Sequence, residues 1–181
     1  MSEPVMGWAV CRPRAARRVA MLATALSLLG ALSTPALATG DTSSAQPVFA
    51  IESPKAAKGL MIDVVHAGKR LVAVGDRGHI LYSDDQGNTW TQAKVPTRQL
   101  LTAVYFVDDK HGWAVGHDAQ ILASTDGGAT WAQQYQDLKR EAPLLDVWFK
   151  DAEHGLAVGA YGALIETTDA VSYTHLTLPT S

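Results

Sequence analysis

The chain has 181 residues, a formal net charge of −3, 18% charged residues and a single cysteine. That length suits one domain or part of a larger one, and a hydrophobic share of 47% excludes wholesale disorder and a multi-span membrane protein. The mildly acidic balance argues against a nucleic-acid binder, which needs a basic stripe, and one cysteine excludes a disulfide framework and a cysteine-based zinc site.

The first segment reads as an address. Arg12, Arg14, Arg17 and Arg18 precede a 14-residue apolar run from Val19 to Leu32, and Ala36-Leu37-Ala38 follows. That order is the one of a secretory signal peptide over residues 1–38, cleaved after Ala38. The apolar run is too short to span a bilayer comfortably, so no stable membrane span is expected after cleavage; an uncleaved anchor is the weaker reading. Arg17-Arg18 hints at twin-arginine export, and Cys11 lies before the run, where no lipoprotein acylation occurs. After Ala38 there remain 11 basic and 17 acidic residues and no cysteine. Such a chain suits an exported bacterial protein that folds without disulfides, and it excludes thiol catalysis. Residues 39–58 form a linker: Thr39 to Pro47 has little to bury, and Val48 to Lys58 reads as a loop or a short first strand.

The remainder repeats. Ala73-Val74-Gly75, Ala114-Val115-Gly116 and Ala157-Val158-Gly159 recur at spacings of 41 and 43, and Trp90 and Trp131 are also 41 apart. Phe106-Val107-Asp108 with His111-Gly112 matches Phe149-Lys150-Asp151 with His154-Gly155. The units are 59–98, 99–141 and an incomplete 142–169. Runs such as Leu101–Val107 and Leu144–Phe149 are β-branched and aromatic and are bounded by turn residues. The second unit predicts strands at Leu101–Val107, Gly112–Gly116, Gln120–Ser124 and Thr130–Tyr135. Four short strands in each period of about 40 to 50 residues are the pattern of one propeller blade, so the fold class is all-β, a β-propeller.

Between the third and fourth strands stands an eight-residue motif. Ser83, Asp85, Gly87, Thr89 and Trp90 share the pattern S-x-D-x-G-x-T-W with Ser124, Asp126, Gly128, Thr130 and Trp131. The carboxylate can accept hydrogen bonds from its own turn, the glycine permits φ > 0, and the tryptophan is large enough to anchor the turn on the sheet. These are structural roles. The motif is the Asp-box, or BNR, repeat. With the Ala-Val-Gly phrases it resembles the photosystem II stability and assembly factor family over roughly Leu60 to Asp169. The resemblance implies an exported propeller of seven blades, of which about three are present, and a protein partner bound through a propeller face carrying arginines.

Where the third unit should continue after Thr167-Thr168-Asp169 with a glycine pair and a tryptophan, it reads Ala170-Val171-Ser172-Tyr173 and onward. The tail 170–181 is read as off-pattern and as a sequence artefact, and the chain as the N-terminal part of a longer protein. A closed propeller needs at least about four blades, so three alone should expose apolar faces and associate.

No catalytic, cofactor or metal site is expected. A sialidase-like site needs an arginine cluster with an acid and a nucleophile, whereas only Arg70, Arg77, Arg98 and Arg140 follow the signal. A glycoside hydrolase fragment remains the alternative of the enzyme class, and a carbohydrate-binding module, for which Tyr161 is the one suitable aromatic, is a third. His111 and His154 recur in equivalent turns, and equivalent positions on neighbouring blades converge on a metal only near the axis. The loops after the Ala-Val-Gly strands vary at fixed positions, and there Asp76, Arg77, His117, Asp118 and Tyr161 are the expected partner-binding residues. Trp113 and Trp148 are expected to pack. The reading is an exported, periplasmic or thylakoid-lumen-like, non-catalytic scaffold that binds a protein partner during membrane-complex assembly. In a non-photosynthetic bacterium the same fold would serve another envelope complex, such as a transporter.

Overall fold

The computed structural model describes residues 48–176. The segment expected to be a signal peptide, with Cys11 and the expected cleavage site, the expected linker over 39–47 and the last five residues of the tail lie outside them. The chain divides into units Met1–Thr42 and Ser43–Ser181, and all that follows concerns the second.

Twelve strands form three four-stranded antiparallel sheets, each made of strands consecutive in sequence. The first holds β1 (Met61–Ala67), β2 (Arg70–Gly75), β3 (Ile80–Ser83) and β4 (Thr91–Gln92). The second holds β5 (Leu101–Phe106), β6 (Gly112–Gly116), β7 (Ile121–Ser124) and β8 (Ala132–Tyr135). The third holds β9 (Leu144–Phe149), β10 (Gly155–Gly159), β11 (Leu164–Thr167) and β12 (Tyr173–His175). Three meandering sheets packed face to face are the arrangement of part of a β-propeller. The lead-in segment is not a strand. Ala50 donates to the Val95 carbonyl, Gln92 clasps the Ser53 amide and the Ile51 carbonyl, and Ala56–Lys58 is a 3-10 turn.

Alternation along the strands builds two cores, because successive side chains point to opposite faces. Val72, Val74 and Ile80 of the first sheet meet Val104, Ala114, Leu122 and Trp131 of the second. Trp113, Val115 and Ile121 of the second meet Val147, Phe149 and Ile165 of the third. In the latter the Trp113 and Phe149 rings stack with centroids 3.5 Å apart and 7° between planes. Trp148 departs from the expectation of packing: it is 51% exposed, because it points to the face of the third sheet that no described residue covers.

The repeated glycines have distinct physical reasons. A side chain on Gly75, Gly116 or Gly159 would run into the carbonyl oxygen of Leu60, Leu100 or Pro143. That carbonyl accepts the amide of the residue after each glycine, from Asp76, His117 and Ala160 at 3.0, 3.0 and 2.9 Å. The Ala-Val-Gly phrase therefore marks a close approach of two backbones. Gly112 and Gly155 instead make room for the rings of Phe106 and Phe149 on the neighbouring strand. In the first sheet the equivalent pair is His66 and Leu71, with no ring over a glycine, and Ala67 stands opposite Arg70 one pair further on. The Arg70 guanidinium lies over the Tyr82 ring and pairs with Asp84 at 2.7 Å.

The third unit is four-stranded although its consensus stops at Asp169. Asp169 still accepts the amides of Val171 and Ser172 at 2.9 and 2.6 Å, and Tyr173–His175 pairs along β11. A ladder is made by main-chain groups, so an outer strand can form without the Gly-Gly-x-Thr-Trp side chains.

Candidate functional site

Antiparallel meandering divides the turns between two ends. At one end lie the β1–β2, β5–β6 and β9–β10 turns together with the Asp-boxes. At the other lie the loops that follow each Ala-Val-Gly strand and the connections from sheet to sheet.

At the first end the carboxylates are consumed by their own turns. Asp126 Oδ1 accepts the Ser124 hydroxyl at 2.9 Å and the Thr130 amide at 2.9 Å, and Oδ2 accepts the Thr130 hydroxyl at 2.6 Å. Asp85 repeats this with Ser83 and Thr89. Gly87 and Gly128 have φ of 88° and 84°, which glycine adopts without strain. Trp90 and Trp131 donate their indole N–H to the carbonyls of Gly87 and Gly128. Trp131 is buried at the first interface, whereas Trp90 is only half-buried, since no described sheet precedes the first.

The β5–β6 and β9–β10 turns hold a second carboxylate device. Asp108 Oδ1 accepts the amides of Lys110 and His111, and Oδ2 lies 2.7 Å from His111 Nδ1. Asp151 Oδ1 accepts the amides of Glu153 and His154 and also lies 2.8 Å from His154 Nδ1. Ligand atoms of Asp151, Glu153 and His154 lie within 4.8 Å of one another, but His154 Nδ1 is already bonded to Asp151. In the sequence these histidines stand out only as repeated turn residues, and the D-x-x-H spacing from Asp108 to His111 and from Asp151 to His154 explains them.

These turns hold their carboxylates ionised below the ordinary range. The Thr89 hydroxyl and amide lower the Asp85 carboxyl to about 2 from an ordinary 3.8. The His111 amide and ring do the same for Asp108, the His154 ring and amide for Asp151, and the Ser172 and Val171 amides for Asp169, each to about 2. For Asp126 burial acts upward, and the Thr130 and Ser124 hydrogen bonds outweigh it to leave the group lowered. A carboxyl lowered by folding binds its proton more readily in the unfolded chain. It therefore contributes stability that is complete above its ordinary value and lost as the pH falls from there through about 2. The urea midpoint should fall steeply between pH 4 and 2, and the fall should be shallower in Asp85→Asn and Asp151→Asn. A midpoint constant over that range would refute the assignment.

The other end carries the expected partner-binding residues. Its three loops share one design: Gly75, Gly116 and Gly159 donate to the carbonyls of His79, Gln120 and Ala163, closing a five-residue turn. At the third position of the turn Arg77, Asp118 and Tyr161 have φ of 55°, 58° and 57°. Holding a non-glycine residue there costs roughly 1–3 kcal/mol. Next come Gly78, Ala119 and Gly162, also left-handed, with Ala119 at φ 48°. The glycines hinted at this conformation in the sequence, but the alanine between them hid it.

The side chains on these turns are dissimilar. Arg77 is exposed and 3.7 Å from Asp76. With Arg98, Ile51, Ser53 and His79 it lines one groove, where Arg98 is held by the Phe49 carbonyl at 2.9 Å. Beneath that groove His79 Nδ1 and Asp76 Oδ1 are buried, 3.9 Å apart and without a hydrogen-bond partner among the described residues. This open polar pair was not singled out from sequence. Asp118 Oδ2 accepts a hydrogen bond from the Gln99 side-chain Nε2 at 2.6 Å, His117 is exposed, and Tyr161 is 91% exposed. The structure thus brings Arg77 and Arg98 to one groove and places Asp118 and Tyr161 on the successive loops. Among the described residues no helix is long and apolar enough to cross a membrane.

Comparison with known proteins agrees with this architecture. A family model described as "Photosynthesis system II assembly factor YCF48" matches residues 82–142, which include both Asp-boxes. A solved structure titled "YCF48 bound to D1 peptide" is similar at 22% identity and a TM-score of 0.56, with 64% of this chain and 39% of that one covered. "YCF48 from Cyanidioschyzon merolae" is similar at 24% identity, with the same TM-score and coverage. The chain therefore spans about two fifths of the length of these structures. No curated protein is matched.

Proposed function

We propose that the chain is the N-terminal part of an exported, non-catalytic β-propeller of seven blades that binds a protein partner during assembly of a membrane complex. The observation that carries this reading is the set of three equivalent loops. Each holds a non-glycine residue in left-handed backbone, and each presents a different side chain: Arg77, Asp118 and Tyr161. Strain of this kind persists only where the surrounding structure over-determines it, and here the closed turn holds each side chain at a fixed place. A surface that varies at fixed positions of a rigid repeat is suited to recognising one partner rather than to a shared reaction. The Asp-box carboxylates, bound within their own turns, are poor candidates for an acid or a nucleophile.

The partner proposed is a subunit of photosystem II, since a matched family carries that description and one similar structure holds a peptide, D1. The site of action would be the periplasm or a thylakoid lumen, reached through the signal peptide with cleavage after Ala38. The test is binding of the protein to synthetic peptides that tile the lumenal segments of the reaction-centre subunits. Arg77→Ala should weaken capture about tenfold, since a charge-assisted hydrogen bond contributes about 1.5–3 kcal/mol. Asp118→Ala should weaken it less. Capture left intact by both changes would sink the proposed surface. Capture of a transporter subunit instead would move the function to another envelope complex.

A further inference from the structure

Each sheet has a rear face toward the sheet before it and a forward face toward the sheet after. On the first sheet the forward face includes Asp63, Val65, Val72, Val74 and Ile80, covered by the second sheet. On the second it includes Ala103, Tyr105, Trp113, Val115 and Ile121, covered by the third. Strand register places Asp146, Trp148, Leu156, Val158 and Leu164 at the same positions of the third sheet. Nothing described covers these. Trp148, Leu156 and Val158 are 51%, 37% and 44% exposed, an apolar patch of the composition that elsewhere in this chain is buried between sheets.

The first strand of each sheet carries a bulge at the same place, after Met61, Leu101 and Leu144. The residue that resumes pairing is Asp63, Ala103 or Asp146. Asp63 Oδ1 accepts the next amide of its own strand, from Val64 at 2.8 Å, and its Oδ2 accepts the Val104 amide of the second sheet at 2.9 Å. Val104 can donate across the interface because Ala103, just before it, has no carboxylate to occupy that N–H. At the following interface the roles change: Val147 donates to Asp146 Oδ1 at 2.8 Å, and Thr102 Oγ1 donates to the Leu144 carbonyl at 2.6 Å instead. Asp146 thus repeats the inner half of the Asp63 device. Its Oδ2 accepts no hydrogen bond among the described residues.

We infer that the forward face of the third sheet receives a further four-stranded Asp-box sheet whose first-strand bulge is followed by a non-acidic residue, with Asp146 Oδ2 accepting the next amide of that strand. The inference rests on the multi-blade reading above and adds which kind of blade fits. The first sheet of a second copy does not supply the bond, since its Val64 amide is taken by Asp63. A sheet of the second type does.

The test extends the full chain after His175 with a copy of the 136–143 connection and of residues 101–135. Binding of a hydrophobic dye should fall severalfold against the unextended chain as Trp148, Leu156 and Val158 are covered. Asp146→Asn keeps an acceptor for Val147 and puts an N–H₂ where the incoming amide arrives. In the extended chain it should raise the unfolding equilibrium constant about tenfold, a loss of stability equal to one hydrogen bond to a charged group. The same loss should follow Ala103→Asp made in the appended copy alone. In the unextended chain Asp146→Asn should leave the urea midpoint unchanged. That measurement needs no extension to fold, and a tenfold loss there would show the carboxylate already engaged and overturn the proposal. Unchanged dye binding on extension would overturn the docking face, and an equal cost of Asp146→Asn with and without the extension would overturn the role of Asp146. Self-association of the unextended chain that Val158→Lys abolishes would make a second copy the occupant and overturn the choice of blade. Peptide capture on the loop end, measured with the same proteins, reports on the partner reading separately.

Discussion

Phe149→Ala should destabilise the protein by about 3–5 kcal/mol, the range for emptying a buried aromatic site. The ring is 1% exposed and lies face to face on Trp113, with centroids 3.5 Å apart. It also fills the space that the absent side chain of Gly155 leaves, so neighbouring groups have little means of closing the cavity. Domains of this kind retain roughly 5–15 kcal/mol in all, and the change should unfold an appreciable fraction at room temperature. Urea unfolding followed by tryptophan emission would measure it, with Trp113 shifted to the red. A loss under about 1.5 kcal/mol, below the ordinary span for such truncations, would mean that the second and third sheets are not held together by this stack.

Gly116→Ala should cost about 3 kcal/mol, at the upper end of the usual range for overpacking. The added methyl would meet the Leu100 carbonyl and the Leu101 Cα, at 3.0 Å for the latter. Both are backbone atoms at the start of β5, so no rotamer change relieves the clash. The His117 amide bond to Leu100, 3.0 Å in the native chain, would be lost with it. Gly162→Ala is the comparison. That glycine has φ 72° and nothing within 4 Å of a built methyl, so the cost is conformational alone, about 1 kcal/mol. Equal urea midpoints for the two variants would show that the Ala-Val-Gly glycine is not a close-approach residue.

Much of the architecture was legible in the chain because it repeats. Spacings of 41 and 43 and the two Asp-boxes require the same local solution each time. Strand alternation and turn chemistry are short-range, so the Asp126 turn could be foreseen from Ser124, Gly128 and Thr130. The loop residues Arg77, Asp118 and Tyr161 could be singled out as a variable set on a constant frame, but not their left-handed backbone. That is imposed by closing a five-residue turn between two strands, and Ala119 breaks the glycine pattern that would have signalled it. Four things belonged to the tertiary structure alone. Trp148 and Trp113 are alike as residues, yet one is exposed and the other buried, since burial depends on whether a sheet lies across that face. A fourth strand forms at Tyr173–His175 without its consensus because ladder hydrogen bonds are made by backbone. His79 and Asp76 meet beneath the Arg77 groove through a turn whose buried side depends on the packing around it. Asp63 and Asp146 look like ordinary strand carboxylates in sequence. Only when two sheets are laid face to face does one of them accept an amide from its neighbour and the other present an open oxygen, because a hydrogen bond between sheets is set by packing in space and not by separation along the chain.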